Sequence, residues 1–553
     1  MTRRLLVLLA VGLIALAGCG GGGSGGTSGG AAAVGQTDVN PQPRENVRDG
    51  GALRLPMDIY PANLNYNQVD GTTSDVANIV AELMPYWFSG TADGGLRLNP
   101  DYATSAELTS TNPQVVTYTI NPKANWSDGS PITWRDFEAY WRSSNGTNPA
   151  YQTSGTTGYS DISSVARGVD DRQVVLTFSK PFAEWKNLFN PFYPAAATTS
   201  PQAFDNFCRT TLPLTAGPFA LGSIDATAKT ISLKRDPKWW GTPAKLDSII
   251  YRQYDPAALP DALANNEIDY YEIGSDVNLW RRAQSTPGAT VRDAPSRQYA
   301  QVTFNGSPGS ILAELPLRQA IAQGIDRAAI TRRMLGQVEP TATPDGNHLY
   351  PPHTKDYRDN ADVLPYDPAK AAQALDALGW VRTGATRQRG GTPLTLRLVF
   401  GDAPTNRDIG ATLQNELAQI GVTVVLQQLG VNELFPNITK GNFDLALFTW
   451  GGTASPLSSS SEIYGSPQGN VVRENYGRIG SPEIDALYTK GVAELDDAKR
   501  ADLGNQIDRL LWQEVHSVVL YARPGAVAVR STLANFGASG LADTDYIDAG
   551  FMK

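Results

Sequence analysis

The chain has 553 residues, 41% of them hydrophobic and 18% charged, with 11 tryptophans, which is the balance of a folded globular protein and excludes a disordered or fibrous one. A formal net charge of -9 excludes the broad basic surface that nucleic acid or an anionic bilayer requires, so no nucleic-acid partner is expected. The length exceeds what one hydrophobic core organises, so two or more lobes are expected.

Arg3 and Arg4 precede an apolar run over residues 5–17 that is too short to span a bilayer. The run ends in Leu16-Ala17-Gly18-Cys19, small residues set before a cysteine, and this resembles a bacterial lipobox. The resemblance implies cleavage after residue 18 and a diacylglycerol on the Cys19 thiol, since two acyl chains suffice for stable membrane anchoring. Residues 1–18 then form a signal peptide, and residues 19–50, opening with glycine and serine, form a flexible tether. With Cys19 lipidated, Cys208 has no cysteine to pair with and is expected as a small, semi-buried filler. No later segment is long and apolar enough to cross a membrane.

The body opens at Gly51-Ala52-Leu53-Arg54-Leu55, a strand signal. Val115-Val116-Thr117-Tyr118-Thr119-Ile120 and Val174-Val175-Leu176-Thr177-Phe178 are β-branched and aromatic runs that read as further strands. The spacing of Leu317, Ala320, Ile321, Ile325, Ala328 and Ile330 predicts one helix over 317–335. Asp367-Pro368 starts another, which Gly379 ends. A strand over 394–400, a helix over 407–420 and strands over 422–426 and 443–450 follow in β-α-β order. That order favours an α/β fold with mixed sheets covered by helices.

Little in the chain supports catalysis. His348, His353 and His516 are the only histidines, and Pro351-Pro352 prevents a helix from aligning the first two, so they read as solvated loop residues. No metal site and no cofactor is expected. Nucleophile-elbow, phosphate-loop and H-E-x-x-H motifs do not occur, so an enzyme is unsupported.

Five separated segments carry a family resemblance. Trp126-Ser127-Asp128-Gly129-Ser130-Pro131-Ile132-Thr133 is followed by a helix that Thr133 caps. Gly217-Pro218-Phe219 leads to Asp236-Pro237-Lys238-Trp239-Trp240-Gly241, where the tryptophans read as packing anchors. Leu317-Arg318-Gln319-Ala320-Ile321 with Gly324-Ile325-Asp326-Arg327, Tyr366-Asp367-Pro368-Ala369-Lys370-Ala371, and Gly441-Asn442-Phe443-Asp444-Leu445 complete the set. In this order they resemble the bacterial extracellular solute-binding proteins of family 5, the oligopeptide/dipeptide type that serves ABC importers. The resemblance implies a two-lobed periplasmic-binding-protein-like fold of type II, with an extra subdomain in the first lobe. Lobe I is expected over 51–302 plus 522–553 and lobe II over 303–521, with crossings near Val302 to Asn305 and Val518 to Ala522.

The same resemblance supplies the site. Trp450, Gly451, Gly452 and Thr453 fall where the family's ligand enters, with Asp402 and Asn406 as further candidates in the loop after Phe400. Trp450 offers a flat face and the glycines allow close backbone approach. Peptide binders of the family place an aspartate a few residues after the tryptophan to pair with the peptide's α-amino group; here Thr453 or Ser455 stands there. A hydroxyl adds no charge, so peptides with a free N-terminus are expected to be disfavoured unless Glu462 or Asp402 substitutes. The expected function is a lipid-anchored monomer on the outer face of the cytoplasmic membrane, capturing a peptide or other small solute for an ABC permease. The alternative is a non-transport envelope lipoprotein of the same fold, acting in envelope assembly through protein contacts.

Overall fold

The computed structural model describes residues 36–352, 354–467 and 472–553. The signal, Cys19, the start of the tether and His353 lie outside the described residues.

Two large hydrophobic cores divide the body. The first draws on residues 53–251 and closes with Leu533, Phe536, Tyr546 and Ala549 from the chain's end. The second draws on residues 299–521. Each core organises its own sheets, as expected of an α/β protein too long for one core.

In the first lobe, Ala52–Met57 lies parallel to Ser248–Gln253, and Thr230–Arg235 and Phe219–Asp225 extend that sheet antiparallel. A separate antiparallel sheet runs in the order Ala103–Thr111, Gln114–Ile120, Gln173–Phe178, Ile162–Arg167. Strict alternation in Gln114–Ile120 turns Val116, Tyr118 and Ile120 inward, where Tyr118 meets Trp87 and Phe137. Beside it Asp136 accepts the Thr133 N–H at 2.8 Å and closes the start of the helix Trp134–Ser144. Cys208 is fully buried within this first core.

The second lobe is built on a five-stranded sheet in the order Thr423–Leu429, Thr395–Gly401, Leu445–Gly451, Gln298–Phe304, Ser517–Ala522. The first three strands are parallel and Gln298–Phe304 runs antiparallel to both of its neighbours, so the sheet is mixed. Leu445, Ala446, Leu447 and Phe448 are all buried, the continuous apolar run of a strand covered on both faces.

Four expectations are corrected. The helix over 317–335 is two helices, Leu315–Gln323 and Arg327–Leu335. Asp326 begins the second by accepting the Ala329 N–H at 2.8 Å, and both helices bury apolar residues in the second core, so periodicity alone cannot show the break. The tether does not extend to residue 50, because Asp38 pairs with Ala538, Val47 pairs with Met552, and Val47 is fully buried. The chain passes between lobes before and after the expected crossings, at 293–297 and 523–526. Strands Gln298–Phe304 and Ser517–Ala522 belong wholly to the second sheet, whereas Ala289–Arg292 and Val527–Arg530 pair in a sheet outside it. Finally, His348 and His516 are buried rather than solvated. His348 Nδ1 meets Asp508 at 2.7 Å and His516 Nε2 meets Asn475 at 3.0 Å, and burial pushes His516 down to about 3.

Candidate functional site

The segment that follows Leu445–Gly451, the central strand of the second sheet, meets the first lobe. The strand's last residues leave the core, and Trp450 emerges half-buried. Tyr476 stacks on Trp450 with centroids 5.9 Å apart and planes 2° from parallel, and Phe448 meets it edge-on at 5.4 Å. One face of Trp450, expected for a ligand, is thus held by Tyr476. Phe435 continues this aromatic wall and is 43% exposed.

The two glycines differ. A Cβ on Gly452 would lie 2.9 Å from the Arg297 carbonyl oxygen, which also accepts the Gly452 N–H at 2.9 Å. Gly452 is therefore required by a close approach of its own backbone to the chain at the lobe crossing. A Cβ on Gly451 would meet nothing within 4 Å, so that position faces open space.

Thr453 is exposed, but its hydroxyl is engaged within its own loop. It donates to Ser459 Oγ at 2.9 Å and accepts the Ser455 N–H at 3.0 Å. Asp402 lies 3.3 Å from Arg407, and Asn406 donates to the Gly401 carbonyl at 3.1 Å. Both therefore secure the turn at the end of Thr395–Gly401. Glu462 is bound by Arg473 at 2.8 Å.

Contacts from the first lobe reach this same loop. Glu184, 7% exposed, accepts the Leu457 N–H at 3.1 Å and the Ser458 N–H at 2.8 Å, capping the helix Pro456–Tyr464 from across the seam. Burial raises the Glu184 carboxyl, opposed by these hydrogen bonds and by Arg500. Asn187 bonds Ser455, Thr157 donates to Glu462 at 3.2 Å, and the Ala183 N–H reaches the Val492 carbonyl at 2.7 Å. Arg297 donates to the carbonyls of Thr453, Gly94 and Leu541 at 3.3 Å each, tying the loop to the first lobe at its other end. The lobes are thus closed on one another around the end of the strand Leu445–Gly451. Among the described residues no group of three or more histidine, cysteine, aspartate or glutamate side chains could hold a metal.

The model of "Bacterial extracellular solute-binding proteins, family 5 Middle" matches residues 97–471. The chain belongs to this family. It is a solute-binding protein and not an enzyme, with the two-lobed α/β fold of its relatives. The oligopeptide-binding protein OppA of Mycobacterium tuberculosis (strain H37Rv) is 44% identical over 527 residues, which cover 94% of this chain and 88% of that protein. Among solved structures, the periplasmic EDTA-binding protein EppA superposes with a TM-score of 0.87 at 25% identity, covering 95% of this chain and 99% of that one. Lactococcal OppA, complexed with an endogenous peptide in the closed conformation, gives 0.74 at 17% identity, covering 91% and 100%. The family is extracellular, and no described helix is long and apolar enough to cross a membrane.

Of the residues expected from sequence, the structure sets the segment Trp450 to Thr453 beside the crossing between the lobes, while Asp402 and Asn406 are occupied locally. Glu184, Asn187, Arg297 and Tyr476 were not foreseen. Each comes from a segment remote in sequence, and no local motif announces it.

Proposed function

We propose that this family 5 protein captures oligopeptides between its lobes and delivers them to an ABC importer. The observation that carries the reading is the inter-lobe seam itself. The aromatic wall of Trp450, Tyr476 and Phe435, the open position at Gly451 and a polar rim of main-chain contacts fit a ligand with a peptide backbone and apolar side chains. The 44% identical relative, an oligopeptide-binding protein by name, supports the same class. Closure expels water from this wall and ligand together, so apolar burial supplies much of the affinity. The lobes turn on the segments 293–297 and 523–526.

The N-terminal reading completes the picture: a diacylglycerol on Cys19 holds a monomer at the outer face of the cytoplasmic membrane, within reach of the permease. The envelope-assembly alternative is not favoured, because the relative covering nearly the whole chain is a peptide binder by name.

The test is native mass spectrometry of the full-length protein taken up in mild detergent, followed by sequencing of whatever denaturation releases. Oligopeptides bound one per protein are expected. A clean unliganded mass, with no thermal shift across a peptide library, would overturn the reading.

A further inference from the structure

The break between the helices Leu315–Gln323 and Arg327–Leu335, which periodicity conceals, opens onto a cavity of about 210 Å³ in the second lobe. Ala322 and Ile325 come from the two sides of the turn, and Leu364, Val518 and Trp512 continue the apolar wall. An apolar cavity of about 150 Å³ already admits a benzene ring, so this one has room for a small organic molecule. It shares no residue with the seam around Trp450 to Thr453 or with the lobe crossings at 293–297 and 523–526.

Two opposite charges line the cavity without pairing. The Arg327 guanidinium lies over Trp512, 4.6 Å from its ring centroid; Nε donates to the Val519 carbonyl at 2.6 Å and Nη2 to the Asp345 carbonyl. Val519 and Asp345 directly follow the lining residues Val518 and Pro344, so these bonds hold the guanidinium at the cavity wall. Nη1 has no acceptor, and Arg327 no ion pair, among the described residues. Arg327 is also the first residue of its helix, where the macrodipole disfavours a cation and favours an anion. The N–H of the next lining residue, Ala328, likewise has no acceptor among the described residues. Asp326 lines the cavity from the position before: one carboxylate oxygen accepts the Ala329 N–H at 2.8 Å, and the other has no partner among the described residues. Tyr366, 44% exposed, completes the polar side with a hydroxyl that makes no hydrogen bond among the described residues.

We propose that this cavity is a second ligand site, taking a free α-amino acid with an apolar side chain. The ligand carboxylate is received by Arg327 Nη1 and the Ala328 N–H, the ammonium by Asp326, and the side chain by Ile325, Leu364 and Val518. Both polar ends then gain charge-assisted hydrogen bonds. A simple carboxylic acid would set a second anion beside Asp326, and a simple amine would leave Arg327 without a counter-charge, so the paired charges select a zwitterion. The site lies wholly within the second lobe, and the inference does not depend on what the inter-lobe seam binds.

The experiment is calorimetry on the full-length protein in mild detergent with L-leucine, with isocaproate, which lacks the amine, and with isoamylamine, which lacks the carboxylate. L-leucine is expected to bind at one site, and each analogue about 10- to 100-fold more weakly, the range of one hydrogen bond to a charged group. Ala328→Phe, which fills the cavity and leaves the seam untouched, is expected to abolish leucine binding. Arg327→Gln is expected to lose the preference for leucine over isoamylamine, with circular dichroism melts confirming that each variant is folded. Absence of saturable heat with leucine overturns the proposal, as does equal affinity for either analogue; both are read on wild type alone, whatever the variants do. Leucine binding retained in a folded Ala328→Phe overturns it as well, by placing the ligand elsewhere.

Discussion

Replacing Glu184 by alanine removes a contact that exists only when the lobes are together. In the closed form its two oxygens accept N–H groups at 3.1 and 2.8 Å from the first turn of the helix Pro456–Tyr464. Hydrogen bonds to a charged group contribute about 1.5–3 kcal/mol each, and a carboxylate at a helix N-terminus adds about 0.3–1 kcal/mol. Burial of the carboxylate opposes this, as its raised pKa shows. We take the net contribution to closure as about 1–3 kcal/mol, so ligand affinity in Glu184→Ala should fall about 5- to 150-fold. Glu184→Gln keeps one acceptor without the charge and should lose less. The assays are calorimetric affinity for a bound peptide and small-angle scattering of the unliganded protein. The alanine variant should show both weaker binding and a larger radius of gyration. Wild-type affinity and an unchanged radius in Glu184→Ala would refute the view that this contact holds the lobes together.

The two glycines separate in a stability test: Gly452→Ala drives a Cβ to 2.9 Å from the Arg297 carbonyl oxygen and should cost about 1–3 kcal/mol in urea unfolding, whereas Gly451→Ala, with nothing within 4 Å, should unfold as wild type. Asp345 is raised to about 8 and Glu416 to about 7, in each case chiefly by burial. A carboxylate raised above its unfolded value of about 4 holds its proton in the folded state, so its stabilising contribution is complete below about pH 4 and is lost as pH rises through 7 to 8. Asp345→Asn should therefore flatten the fall in stability from pH 4 to 8, read as urea midpoints across that range, and an unchanged slope would contradict the assignment.

The fold was legible where local pattern and burial agree. The strand over 394–400 is found as Thr395–Gly401, and the helix opened by Asp367-Pro368 as Pro368–Ala377, because turn chemistry and periodicity point the same way there. The break at Gly324-Ile325-Asp326 was hidden because two short helices that feed the same core repeat the pattern of one long helix. The histidines were misread for another reason: His348 takes its partner Asp508 from 160 residues away, and no local rule reports such a pairing. The site shows the same division. Trp450 to Thr453 lie on one strand end that a motif marks, while Glu184 and Arg297 reach it only through the packing of the two lobes. Thr453 reads as a missing charge in sequence, and only the structure shows that its hydroxyl is already engaged.

The most direct test of the account is a calorimetric titration of the full-length protein, in mild detergent, with unmodified oligopeptides of graded length. One site per protein, micromolar affinity or tighter, and a negative heat-capacity change from apolar burial as the lobes close are expected. Absence of saturable heat for every peptide, in a protein that remains folded by circular dichroism, would contradict it.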